Sequence, residues 1–281
     1  MEYISFEYMQ QVAAISELAG KAIMDVYRGG ESFDVEIKSD DSPVTKADYK
    51  AHEVISRELK AMSDYPILSE EGDAVDFEAR RQWGTYWLVD PLDGTREFID
   101  RNGDFTVNIA LVVDNCARLG VIYAPDKNAL YVGCAQIGAF KRVMSGLWEP
   151  IQVRNAEQRE AQGSAVQLLG SRRYGLDQLD RAMVQIEASF GRHELKSVGS
   201  ALKFCLVAEG LADCYVRFGP TCEWDTAAGQ AILESAGGCV LDKQGRAFRY
   251  NLRESLINGD FWALADPSER WMQILNDIHQ N

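Results

Sequence analysis

The chain has 281 residues, 46% of them hydrophobic and 26% charged, with a formal net charge of −14 at pH 7. That length buries a sizeable core as one large domain or two intimate halves. So acidic a balance argues against a nucleic-acid partner, which needs clustered Lys and Arg.

No apolar stretch approaches a membrane span, and residues 1–8 lack the basic-then-apolar pattern of a signal peptide. The six cysteines form no CxxC pair and no zinc-like spacing, which points to a reducing compartment. The expectation is a cytoplasmic protein, with loose attachment to the inner membrane left open, and a monomer or homodimer.

Apolar residues at helical spacing (Met9, Val12, Ile15, Leu18, Ile23, Val26) predict an amphipathic helix over 5–28, stopped by Gly29 and Gly30. A second helix is expected over 46–62. Apolar runs at 66–69 and 85–90 read as strands, and Pro91 is expected to end the latter. Segments 105–114 and 118–123 are β-rich around an Asp-Asn turn and predict a hairpin; 129–143 continues the strands. Further on, strands at 165–170, 212–217 and 239–242 alternate with helices at 175–189, 199–210, 224–236 and 268–279. This pattern implies layered α/β packing. The polar stretch 144–163 suggests an α+β half over 1–155 and an α/β half over 156–281, closely packed, with the site between them.

Four segments carry acids at element edges: Ser42 to Asp48 at a helix start, Ser69-Glu70-Glu71-Gly72 after a strand, Asp90-Pro91-Leu92-Asp93-Gly94-Thr95, and Glu223-Trp224-Asp225 opening a small-residue helix. Singly, each has an ordinary explanation as a cap or an acidic turn. Gathered together, the carboxylates would repel by roughly 4 kcal/mol per pair at ~4 Å and an effective dielectric near ~20. Divalent cations make such a cluster tolerable. The donors are all oxygen, with no His or Cys among them, which selects Mg²⁺ or Mn²⁺ over zinc. Backbone N–H groups beside Gly94 can face an anion.

In this order, the four segments resemble the lithium-sensitive, magnesium-dependent phosphatase superfamily of inositol monophosphatases, fructose-1,6-bisphosphatases and bisphosphate nucleotidases. The pairing of Asp-Pro-Leu-Asp-Gly-Thr with Trp-Asp-Thr-Ala-Ala-Gly is specific to it, and the likeness runs from Asp48 to about Glu254. It implies an α+β layered fold, an αβαβα sandwich of the sugar-phosphatase type. It implies one Mg²⁺ on Glu70, Asp90 and the Leu92 carbonyl, and a second on Asp90, Asp93 and Asp225, with Asp90 bridging. Two such metals, about 3.5–4 Å apart, clamp the attacking and leaving oxygens. Glu71 would aid a third metal or stand as a solvated acid. Thr95, paired with Asp48, would activate the water, while Gly94 and Thr95 N–H groups hold the phosphate. Li⁺ is expected to inhibit.

Residues 198–220 are most similar to the bisphosphate nucleotidase branch. There the resemblance implies Arg217 where a polyol phosphatase carries a glutamate, a change that suits a second phosphate. Gly199 and Lys203, read as i and i+4 on one helix face, would contact the nucleotide. The implied substrate-binding set is Glu70, Asp93, Gly94, Thr95, Gly199, Lys203, Arg217 and Asp225; Arg172 and Arg173 are further possible phosphate contacts. The expected reaction is hydrolysis of the 3′-phosphate of 3′-phosphoadenosine 5′-phosphate in sulfur assimilation. The alternatives are inositol monophosphate or fructose-1,6-bisphosphate as substrate and, more remotely, a non-catalytic Mg²⁺/nucleotide sensor.

Overall fold

The computed structural model describes residues 4–29, 33–38, 42–170 and 176–280. Arg172 and Arg173 lie outside the described residues. In chain order the first half holds α1 (Phe6–Arg28), β1 (Glu36–Ile37), β2 (Pro43–Val44), α2 (Lys46–Met62), β3 (Ile67–Ser69), α3 (Phe77–Arg80), β4 (Thr85–Asp93), α4 (Thr95–Ile99), β5 (Thr106–Val113), β6 (Cys116–Ala124), β7 (Ala129–Cys134), β8 (Gly138–Val143) and β9 (Glu149–Ile151). There follow α5 (Ala156–Ala161), β10 (Val166–Gly170), α6 (Leu176–Phe190), β11 (His193–Ser197), α7 (Leu202–Ala208), β12 (Cys214–Arg217), β13 (Thr221–Cys222), α8 (Glu223–Ser235), β14 (Cys239–Asp242), β15 (Ile257–Asn258), β16 (Phe261–Leu264) and α9 (Glu269–Gln280).

Strands β3 to β9 form a seven-stranded sheet in sequence order, antiparallel except for β3 beside β4. The second sheet has the order β11-β10-β12-β16-β14. One face of the first sheet (Trp87, Val89, Val107, Ile109, Val121) buries the apolar stripes of α1 and α2. Its other face (Leu88, Ala110, Val112, Ile122) packs on α7 and α8, which also cover Tyr215, Phe261 and Ala263 of the second sheet. Helices α6 and α9 close the outside over Leu168, Val216 and Trp262. The layers therefore run αβαβα. Each sheet buries both faces, which explains its near-continuous apolar runs. Helix α8 lies directly on the first sheet because Gly133 has no side chain there: a Cβ would stand 2.5 Å from Cα of Ile232.

The hairpin turn is as expected, with Asp114 and Asn115 at φ 50° and 63° between β5 and β6. Pro91 does not end its strand. Strand β4 runs on to Asp93, and the register slips there: Asp90 pairs with Asn108 but Asp93 with Thr106, three residues against two. Pro91 is accommodated because the bulge removes its need for a ladder N–H. Helix α7 starts at Leu202, not at residue 199, because Ser200 sits at φ 50° and breaks the helical run. Strand β9 completes the first sheet, Asn155 caps α5, and α7 and α8 pack between the two sheets.

Candidate active site

The bulge in β4 decides the geometry. Residues three apart on a regular strand face opposite sides. The extra residue at Pro91–Leu92 restores the phase, so Asp90 and Asp93 face one cleft. Helix α8 brings Asp225 to the same place from the other half. One carboxylate oxygen from each of the three lies within 4.8 Å of the others.

Each acid is fixed by a neighbour. Asp90, 1% exposed, accepts the Leu92 N–H at 3.1 Å. Asp93 accepts the Ala201 N–H at 2.5 Å and Asn108 Nδ2 at 3.3 Å. Asp225 accepts the Cys222 N–H at 2.8 Å, as a first-turn acid capping its own helix. Glu70, at the end of β3, lines the same cleft of about 290 Å³, with Leu92, Gly94, Thr95, Lys203 and Arg217.

Burial raises the pKa of Asp90 well above the ordinary carboxylate range, and the charges of Glu70, Asp93 and Asp225 push it further the same way. Asp225 is raised by burial, Asp93 and Glu70. Glu70 is raised by burial against the pull of Lys38, and Asp93 by burial against that of Lys203. Four mutually opposed carboxylates aimed at one cleft fit a small divalent cation, whose charge reverses the sign of every one of these interactions. The all-oxygen donor set fits Mg²⁺.

Asp48 does two jobs. It is the third residue of α2, where Oδ2 accepts the Thr45 N–H at 2.8 Å and its hydroxyl at 2.7 Å. Oδ1 accepts the Thr95 hydroxyl at 3.1 Å. A hydroxyl that donates to a buried carboxylate keeps its lone pairs for a water. Burial pushes the Asp48 carboxyl up, against the hydrogen bonds from Thr45 and Thr95 that favour its charged form. Gly94 takes the left-handed conformation, φ 91°, at the turn into α4. Its Cβ would stand 3.1 Å from the Asp104 carbonyl, so only glycine lets this turn close.

Gly199 and Lys203 reach the cleft on different terms from those the spacing suggests. Gly199 lies outside α7, so the two share no helix face. Its N–H donates to Asp104 at 3.2 Å, and a Cβ there would strike Asp104 and Glu97 at 2.7 Å. Lys203 Nζ, buried, donates to the carbonyls of Ser200 at 2.6 Å and Val198 at 3.1 Å and lies over the Tyr215 ring. Burial brings its pKa down to about 8, against the raising pull of Asp93. Arg217 Nη2 donates to the Pro220 carbonyl at 2.9 Å. Glu71 is not a solvated acid: its side chain is 5% exposed and ion-paired.

Its partner is a residue the sequence reading missed. Lys38 Nζ bonds Glu70 at 2.8 Å and Glu71 at 2.6 Å. Asn108 was missed too, although a lone amide inside the apolar run 105–114 is the signal of a buried polar role.

The sequence profile of the inositol monophosphatase family matches residues 6–278. The chain belongs to that family. It is similar to the 3′(2′),5′-bisphosphate nucleotidase CysQ of Salmonella typhimurium, 46% identical over 254 residues that make up 90% of this chain and 98% of that one. The protein of the same name from Escherichia coli K12 is 47% identical over the same shares. Among solved structures, CysQ from Bacteroides thetaiotaomicron, described as a bacterial member of the inositol monophosphatase family, superposes with a TM-score of 0.80 at 38% identity. That match covers 93% of this chain and 98% of the other.

Proposed function

We propose that this member of the family is a Mg²⁺-dependent 3′(2′),5′-bisphosphate nucleotidase that releases the 3′-phosphate of 3′-phosphoadenosine 5′-phosphate, leaving AMP. The observation that carries the reading is the acid cluster of Asp90, Asp93 and Asp225 lining one cleft together with Arg217. The acids suit a phosphate bridged by divalent ions, and the guanidinium in the same cleft suits a second phosphate. The identity to the nucleotidases named CysQ supports the same choice.

Glu70, Asp90, Asp93, Asp225 and the Leu92 carbonyl would hold two Mg²⁺, with Mn²⁺ as a substitute and Li⁺ as an inhibitor. Bound there, the metals would supply charge neutralisation of the phosphate and the departing oxygen. The chain's own residues do the rest. Thr95 accepts a hydrogen bond from the incoming water, and its own proton is directed to Asp48. The Gly94–Thr95 turn orients phosphate oxygens. Arg217 and Lys203, close to the cleft wall, neutralise the 5′-phosphate. A third metal on Glu70 and Glu71 requires Lys38 to leave them.

Among the described residues, no helix is long and apolar enough to cross a membrane. We place the enzyme with its nucleotide substrate in the cytoplasm, as a monomer or homodimer of two-part chains divided near residue 155. The test is phosphate release from 3′-phosphoadenosine 5′-phosphate, inositol monophosphate and fructose-1,6-bisphosphate, with and without Mg²⁺ and Li⁺. Preference for the nucleotide supports the reading; preference for inositol phosphate replaces it with the polyol alternative.

A further inference from the structure

Arg80 stands on α3 in the first half, yet it is 2% exposed, and its side-chain hydrogen bonds among the described residues go to the second half. Nη1 donates to Asn251 Oδ1 at 2.5 Å, and Nη2 donates to the carbonyls of Arg253, at 3.1 Å, and Glu254. Asn251 answers with Nδ2 on the Arg80 carbonyl at 2.6 Å. It holds the left-handed conformation, φ 58°, and that turn aims its own N–H at both carboxylate oxygens of Glu223, at 2.8 and 3.1 Å. Glu223 opens α8 and is fully buried.

The same segment grips the rest of that first turn. The Leu256 carbonyl accepts the Glu223 N–H at 2.9 Å. Asn258 Nδ2 donates to the Cys222 carbonyl at 2.8 Å and to Thr226 Oγ1 at 3.1 Å. Asp225 lies between these anchored residues. The chain from Arg80 through Asn251 to Glu223 therefore joins the half that carries Asp90 and Asp93 to the turn that carries Asp225.

We propose that Arg80 is a positioning residue for the metal centre: through Asn251 and Glu223 it sets where Asp225 stands relative to Asp90 and Asp93. The physical reason is steepness. Small hard cations tolerate little displacement of their ligands, and partners that only orient a ligand typically change metal affinity about 10–100-fold. A guanidinium suits the task because its planar fork holds several acceptors at fixed angles, which an ammonium cannot. The inference rests on the acid cluster as a metal site, but not on which ester is hydrolysed.

The test uses the full chain, stripped of metal by a chelator, and titrates Mn²⁺ by electron paramagnetic resonance, with Mg²⁺ activation of phosphate release measured alongside. The variants are Arg80→Met and Asn251→Gly; glycine keeps the left-handed backbone and removes only the amide. Arg154→Met, which breaks the 2.7 Å pair with Asp213 away from the cleft, is the control for lost stability alone. The expected result is Mn²⁺ affinity weakened about 10-fold or more in both strut variants. The Mg²⁺ needed for half-activation should shift in step, KM at saturating Mg²⁺ should hold, and the control should keep its metal affinity. Mn²⁺ affinity within about twofold of the parent in Asn251→Gly overturns the proposal, whatever its melting temperature and whether or not Arg80→Met folds. A wrong substrate assignment would leave the Mn²⁺ titration untouched, so the two failures are distinguishable.

Discussion

The Thr95 hydroxyl donates to Asp48 Oδ1 across 3.1 Å, although 47 residues separate the two in the chain. The other oxygen of Asp48 is held by the N–H and hydroxyl of Thr45, so the carboxylate cannot rotate away from Thr95. A helix-capping bond thus fixes the aim of the carboxylate proposed as the base. The capping box of α2 and the bulged end of β4 meet at this contact.

Thr95→Ala is therefore expected to lower kcat by about 10²–10⁴-fold, the usual worth of positioned proton transfer, with KM little changed. Thr95→Ser keeps the hydroxyl and should retain activity within about tenfold. Steady-state kinetics at saturating Mg²⁺ decide it; an alanine variant with parental kcat removes Thr95 from the chemistry.

Asp90→Asn should abolish turnover yet raise the melting temperature of the metal-free protein at pH 8. Asn can still accept the Leu92 N–H, and it removes a buried charge that Glu70, Asp93 and Asp225 all oppose. The stabilisation that Mg²⁺ gives the parent should vanish in the variant. Thermal melts with chelator and with Mg²⁺ check both halves of this expectation.

Burial lifts the Glu223 carboxyl to about 7 from an ordinary 4.5. The folded state then keeps a proton that the unfolded chain releases between those values. This group removes stability as pH rises from 4.5 to 7, up to about 3 kcal/mol, and nothing more beyond that window. Glu223→Gln carries no such slope. The stability of the variant relative to the parent should therefore be more favourable at pH 8 than at pH 4.5, as read by denaturant unfolding at the two pH values. Parallel pH profiles would contradict this.

Arg217→Ala should raise KM for the bisphosphorylated nucleotide about 10–100-fold, the worth of a charge-assisted hydrogen bond. It should leave KM for a monophosphate ester nearly unchanged. Equal effects on both esters would show that Arg217 shapes the cleft and does not read the second phosphate.

Much of this site is legible in the sequence because its parts are local. Asp90, Asp93, Gly94 and Thr95 lie within six residues, and the acid at position 225 opens an evident helix. What escapes depends on distant neighbours. Pro91 reads as a strand terminator, since nothing local reveals that β5 offers Asn108 and Thr106 in slipped register. Gly199 reads as a helix start, whereas its lack of a side chain is required by Asp104 and Glu97, about a hundred residues earlier. Arg80 and Arg81 are indistinguishable as letters. Arg81 is an exposed arginine pairing with Glu78 at 3.1 Å, while Arg80 is buried across the two halves. Periodicity reports which face of a helix is apolar, not which charge will find a buried partner.

The most direct test is the identity of the products formed from 3′-phosphoadenosine 5′-phosphate by metal-stripped protein before and after Mg²⁺ is returned, followed by phosphorus magnetic resonance. An acid cluster that works only when its charges are bridged should release phosphate and 5′-AMP after Mg²⁺ and essentially nothing before. Equal release in chelator, or adenosine 3′-phosphate as the product, would contradict the account.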